Sequence, residues 1–190
     1  MPSPPAEFQF VLSFWFSLRK PGKKDDVRVR SNLGESYHLA RAGELDSWGA
    51  AHRPRLALIV LLDQVPRHLV RDRPEAYDTD REAQGLTSRF LHDGGWEGLA
   101  PLERYYAAIP WMHAEDIGLQ ERINPLIHEL VREDSSLLPS AGIADLYLET
   151  IRRFGRFPHR NAILGRPGTT AEQAFLHREW RRRKRAVYRK

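Results

Sequence analysis

No cysteine occurs anywhere in the 190 residues. That excludes disulfides, thiolate metal sites and thiol nucleophiles, and it fits a reducing, cytoplasmic setting. Long apolar runs are scarce as well. The longest, LALIVLL at 56–62, has seven residues where a membrane span needs about 20, so no membrane partner is expected. The opening MPSPPAEFQFVLSFWF lacks both a basic leader and a small-residue cleavage site, which argues against an export signal. Pro2, Pro4 and Pro5 mark residues 1–7 as a loose arm. Missing too are a Gly-rich phosphate loop, HExxH and GxSxG. No segment reads as a strand, and no short repeat stands out.

What is present suffices for about one domain with a real core: 41% hydrophobic and 29% charged residues, the balance of a globular protein. The net charge of +5 is not evenly spread. Residues 178–190, REWRRRKRAVYRK, carry +7, and the other 177 carry −2. The sequence therefore divides into the arm, a nearly neutral domain over 8–176 and a basic extension over 177–190. A block of like charge is ordinarily a solvated extension. As a contact it suits nucleic acid or an acidic membrane, with no sequence-reading motif, and any nucleic-acid partner is confined to it.

Helix signals fill the body. Acids at 25 and 26 open a helix that Gly43 stops, with Leu33, Tyr37 and Ala40 at helical spacing. In HRPRLALIVLLDQVPR, Pro54 fits a first turn and Pro66 an end, and the continuous apolar middle predicts a helix buried on most sides. Further helices are expected over Thr79–His92, Pro101–Ala108, Trp111 to about Arg132 with Pro125 as kink or boundary, Ile143–Phe154 and Ala171–Tyr188, the last capped by Thr169 or Thr170. Short connections imply antiparallel neighbours, so the fold class is all-α, built of stacked helix pairs.

Three stretches concentrate chemistry. Within one expected helix, His113, Asp116 and Gln120 fall at i, i+3 and i+7 on a common face, with Glu115 beside them. An imidazole and a carboxylate one turn apart can share a proton, orient a substrate, supply part of a metal shell or tie helices together. Asp63, Gln64 and Arg67 sit at the end of the buried helix, where they either satisfy one another or floor a pocket. The segment RFGRFPHRN, 153–161, sets two Phe beside three Arg. Gly155 ends a helix in the left-handed conformation and Pro158 turns the chain. The Phe rings then anchor Arg156, His159, Arg160 and Asn161, whose guanidinium groups suit carboxylate or phosphate, on a ligand or on the protein's own acids.

The blocks FWF at 14–16, RAGELDSW at 41–48, RLALIVLLDQVPR at 55–67, PWMHAEDIGLQER at 110–122 and RFGRFPHRNAILGR at 153–166 occur in this order. Together they resemble a bacterial family, domain of unknown function 924, over roughly residues 10–176. The resemblance implies an all-helical, tetratricopeptide-like fold and no activity. Its pattern falls on Trp15, Asp63, Gln64, Pro66, Arg67, His113, Glu115, Asp116, Gln120 and on Arg156 to Asn161. In two places the sequence departs from it. The family's His and, two residues on, Asp are replaced by Tyr147 and Glu149. A basic stretch also follows TTAEQAFL at 169–176, where the family tends to stop.

Taken together, these readings predict a pocket for a small anionic ligand. Proton transfer is expected of His113, Glu115, Asp116 and His159. Ligand contact is expected of Trp15, Asp63, Gln64, Arg67, Gln120, Arg156, Arg160 and Asn161. The turn at 155–161 and the acidic segment at 113–116 are expected to enclose one cavity. No metal is assigned, and both the cofactor and turnover are left open. A tetratricopeptide-like protein-interaction module is the competing reading.

Overall fold

A computed structural model of the chain describes residues 7–19 and 21–187. The expected arm, Glu7 apart, and residues 188–190 of the basic extension lie outside them. Every regular element is helical, with no strand among the described residues. The chain divides after Leu99 into two compact units.

The first unit holds α1 (Phe8–Ser17), α2 (Asp26–Arg41), α3 (His52–Ile59), α4 (Pro66–Leu69) and α5 (Asp80–His92). Helix α1 packs on α3, α2 on α4, and α3 on α5. Helix α1 has no helical signature in the sequence because FQFVLSFWF is apolar nearly throughout. Its buried stripe is Val11, Leu12 and Trp15. Gly43 follows α2 at φ +81°, the left-handed stop expected of it.

The apolar helix does not end at Pro66, as the sequence predicts, but continues to Leu69. Two features explain how. Residues 60–64 form a wide turn in which the Val65 N–H reaches back five residues to the Val60 carbonyl at 3.1 Å. This opens the helix ahead of the proline ring. Pro66 also brings no N–H for the Leu62 carbonyl, and the Thr79 hydroxyl donates to that oxygen instead, at 2.5 Å.

The second unit holds α6 (Pro101–Met112), α7 (Ile117–Glu133), α8 (Leu138–Phe154), α9 (Thr170–Phe175) and α10 (Arg181–Val187). Helix α6 packs on α7, α7 on α8, and α10 on α8. Short connections at 113–116 and 134–137 join the first three, as in antiparallel pairs. The single helix expected over 111–132 is in fact two. Helix α6 runs on past Pro110 to Met112, His113 ends it, and Asp116 starts α7 by accepting the Leu119 N–H at 3.0 Å. His113, Asp116 and Gln120 therefore do not share one helix face. Pro125 makes no boundary, since α7 runs through it to Glu133.

Helix α8 ends where the sequence predicts, at Gly155 with φ +67°. Thr169 caps α9 reciprocally: its hydroxyl accepts the Glu172 N–H at 3.2 Å while the Glu172 carboxylate accepts the Thr169 N–H at 2.7 Å. A second wide turn, 176–180, links α9 to α10.

Candidate functional site

In the first unit, the candidates at the end of the apolar helix satisfy one another. Asp63 is fully buried. Gln64 donates to its carboxylate, and the Arg67 guanidinium donates to the Asp63 carbonyl while lying 3.3 Å from its carboxylate. The other terminal nitrogen of Arg67 reaches both Asp80 oxygens, at 2.8 and 3.1 Å. Burial works against the charge of Arg67, but Asp63 and Asp80 outweigh it and hold the group above its ordinary range. Trp15 meets His68 edge-on at 5.7 Å, and His68 Nδ1 lies 2.8 Å from an Asp26 oxygen that Arg71 also binds.

The second unit brings the turn at 155–161 against the segment at 113–116, as the sequence predicts. Glu115 is the link. It accepts the Phe157 N–H at 2.7 Å and both terminal nitrogens of Arg166, at 2.5 and 2.9 Å. Burial pushes its carboxyl up, yet Arg166 and the Phe157 N–H prevail and leave it below the usual carboxylate range. Arg166 also binds the Asn161 side-chain oxygen at 3.1 Å and the Phe157 carbonyl at 3.3 Å.

Glu172 organises the other side of the turn. This buried carboxylate takes Arg156 at 2.7 and 2.9 Å and the Asn161 amide at 3.3 Å. Those bonds, Arg156 first, lower its pKa to about 2. Arg156 further donates to the Pro167 carbonyl at 2.9 Å. Of the two possibilities for these guanidinium groups, Arg156 takes the protein's own acid. Gln120, fully buried, donates to the Met112 and Ala114 carbonyls at 2.6 and 3.0 Å, closing the end of α6.

Beside these polar contacts lies an aromatic group. Phe157 is fully buried, with the Arg160 guanidinium over its ring at 4.6 Å. The His159 ring stacks on Trp180 at 4.5 Å and 16°. Tyr147 lies parallel to Trp180 at 5.9 Å and edge-on to Phe157 at 5.0 Å, and His113 lies 6.4 Å from Tyr147. His159 lines a groove of about 620 Å³ with Gln173, Leu176, His177, Trp180 and Arg181. The expectation of one cavity enclosed by the turn and the acidic segment is thus corrected. Their polar groups close on each other, and the groove opens beside the C-terminal helix instead.

His159 differs from its neighbours. Its Nδ1 is buried without a hydrogen-bond partner. Burial, then the positive surroundings of Arg160, Lys184, His113 and Arg166, depress its pKa to about 3. The ring is neutral at pH 7. Placing its proton on Nε2 leaves only a lone pair to be buried at Nδ1, the cheaper arrangement. Among the described residues, no group of three His, Asp or Glu side chains is set to hold a metal ion, and no helix is long and apolar enough to cross a membrane.

Several residues of this arrangement escape the sequence reading. Arg166 is the last residue of the RFGRFPHRNAILGR block, so its position there was an available signal. Glu172 sits at the third position of the α9 capping pattern. Trp180 is hidden inside a run that reads as charge alone.

A family model described as "Bacterial protein of unknown function (DUF924)" matches residues 11–179. Among solved structures, a protein of unknown function from Agrobacterium tumefaciens is similar at a TM-score of 0.79 and 29% identity, over 89% of this chain and 96% of that one. No curated protein matches.

Proposed function

We propose that this chain, which belongs to the bacterial DUF924 family of proteins of unknown function, binds a small anionic molecule in the groove where His159 stacks on Trp180. The observation that carries the reading is the state of His159. It is a neutral imidazole with a partnerless buried nitrogen, on a groove wall, surrounded by cations. Such surroundings disfavour a charged histidine and favour a negative guest, which would in turn raise the histidine's proton affinity. Gln173, His177 and Arg181 supply the polar rim.

On this reading His159 is the group able to exchange a proton with the guest. His113 stands behind it, 6.4 Å from the Tyr147 ring. Glu115, Asp116, Gln120, Arg156 and Asn161 serve by holding the turn and the helix ends that present His159. Arg160 keeps the ring of Phe157 in place. Trp15, Asp63, Gln64 and Arg67 order the first unit. The cytoplasm is the setting that goes with this reading, and any contact with nucleic acid falls to the basic C-terminal helix.

The test is thermal unfolding in the presence of organic acids and phosphorylated metabolites. At least one anion is expected to raise the melting temperature in a dose-dependent way. His159→Ala and Arg181→Ala should each fold and lose that response. No stabilising anion, or an undiminished response in His159→Ala, overturns the reading.

A second reading is peptide capture by the first unit. A groove of about 650 Å³ there is lined by Arg30, Tyr37, His38, Leu69, Val70 and Glu75, among others. Its mixed apolar and charged lining fits a peptide better than a compact anion. Recovery of one stoichiometric partner, lost in Tyr37→Ala, would favour it.

A further inference from the structure

The arginines of the C-terminal helix fall into two sets. One set faces the body of the second unit and is engaged there. Arg183 binds both oxygens of Glu149, at 2.7 and 2.5 Å, and the Lys184 ammonium lies 5.7 Å from the Trp180 ring centre. Glu179, the single acid in residues 177–187, is turned to Arg153 at 3.2 Å. The other set is Arg178, Arg181, Arg182 and Arg185, all exposed, which line one groove of about 490 Å³ with His177 and Ala186. Their spacing of i, i+3, i+4 and i+7 puts them on one face, over a length of about 10 Å.

No carboxylate lines that groove. Four guanidinium groups converge with nothing negative among them, and they repel one another. Self-repulsion of this kind is relieved by an outside polyanion, whose condensed counterions are released on contact. We infer that the outer face of the C-terminal helix binds the phosphodiester backbone of double-stranded nucleic acid, without reading its sequence.

Two further observations select this partner. The exposed large hydrophobic residues among those described are Phe10, Val27, Leu102, Ile117 and Leu138. None belongs to this helix, so the face has no apolar side to sink into a membrane. Among the described residues it also presents no exposed Phe, Tyr or Trp ring on which an unpaired base could stack, since Trp180 and Phe175 are both buried. Guanidinium groups alone suit the phosphates of a duplex. The inference is independent of the His159 groove. His177 and Arg181, which line both grooves, are left unchanged in the test.

The experiment is fluorescence anisotropy of the full chain with a labelled 20-base-pair duplex from 50 to 200 mM salt. Binding is expected to weaken with salt, with a log–log slope of about −3.6 for four phosphates. The triple reversal Arg178→Glu, Arg182→Glu, Arg185→Glu should lower affinity at least ten-fold at 50 mM salt and flatten the slope. A control of equal net charge, Lys23→Glu, Lys24→Glu, Arg132→Glu, reverses exposed cations elsewhere and should bind within two-fold of wild type. Circular dichroism checks that both variants fold. Absence of duplex binding at 50 mM salt overturns the proposal. So does an equal loss in both triple variants, or binding to phosphatidylserine vesicles in preference to the duplex.

Discussion

Arg166 grips Glu115 with both terminal nitrogens, Nη1 to Oε2 at 2.5 Å and Nη2 to Oε1 at 2.9 Å, across 51 positions of sequence. Since Glu115 also accepts the Phe157 N–H, this one pair fixes the turn at 155–161 against the start of α7. Both side chains are about three-quarters shielded from water, at 25% and 23% exposure, so the contact is worth more than a surface ion pair.

Glu115→Ala is therefore expected to cost about 1.5–3 kcal/mol in urea unfolding, the range for hydrogen bonds to charged groups. Arg166→Ala should cost a similar amount. The double variant should fall short of the sum by at least ~1 kcal/mol, because the two residues act through one contact. Arg166→Lys should not restore stability, as an ammonium cannot make the paired geometry. Strict additivity would show that the pair does not hold the turn.

Asp63→Ala tests the buried polar end of the apolar helix. It removes a carboxylate with no solvent exposure and strips Gln64 and Arg67 of a shared acceptor. Breaking a buried pair from one side costs about 3–5 kcal/mol. Asp80, which holds Arg67 at 2.8 Å, should keep the loss near the lower end. A change below ~1 kcal/mol would mean the cluster contributes little to the first unit.

These contacts show what was legible in the sequence and what was not. The helices around Leu33, Leu86 and Ile151 announce themselves through period and caps, and Gly155 and Thr169 mark their ends by chemistry that acts within a few residues. Pro66 misleads because the hydroxyl that satisfies the freed carbonyl comes from Thr79, and local pattern does not encode that partner. His113 and Asp116 mislead for a different reason. Helical spacing assumes an unbroken helix, and Asp116 suits a cap as well as it suits a helix face. The turn and the acidic segment could be matched by composition, but their link runs through Arg166, which looks like any other surface arginine. The basic stretch reads as solvent-facing because the ring of Trp180 and the partner Glu149 become visible only once the helix is docked.

Gly155→Ala probes the stop of α8. Nothing lies within 4 Å of where a Cβ would be, so the penalty comes from the backbone alone. A left-handed residue with a Cβ costs about 1–2 kcal/mol. Gly155→Asn should recover part of it, since asparagine visits this region more readily. Equal stability of all three proteins would show that the turn relaxes without the left-handed residue.

His159 gives stability a pH dependence whose sign can be worked out. Its folded pKa is about 3, and a free histidine titrates near 6.5. Between these values the unfolded chain takes up a proton that the folded chain refuses, so stability falls as pH drops from about 6.5 towards 3, by at most about 1.4 kcal/mol per unit. Glu172, depressed to about 2, adds its own loss only below the ordinary glutamate range, which leaves pH 5–6.5 to the histidines. His68, also lowered by burial, contributes in that window but is common to wild type and variant. His159→Phe keeps a ring on Trp180 and removes the titration. Chemical unfolding at pH 7.5, 6.5 and 5.5 should show the variant gaining on wild type as pH falls. Parallel curves would mean that His159 accepts its proton in the folded chain as readily as in water, and the neutral imidazole on which the anion-binding groove depends would be lost with them.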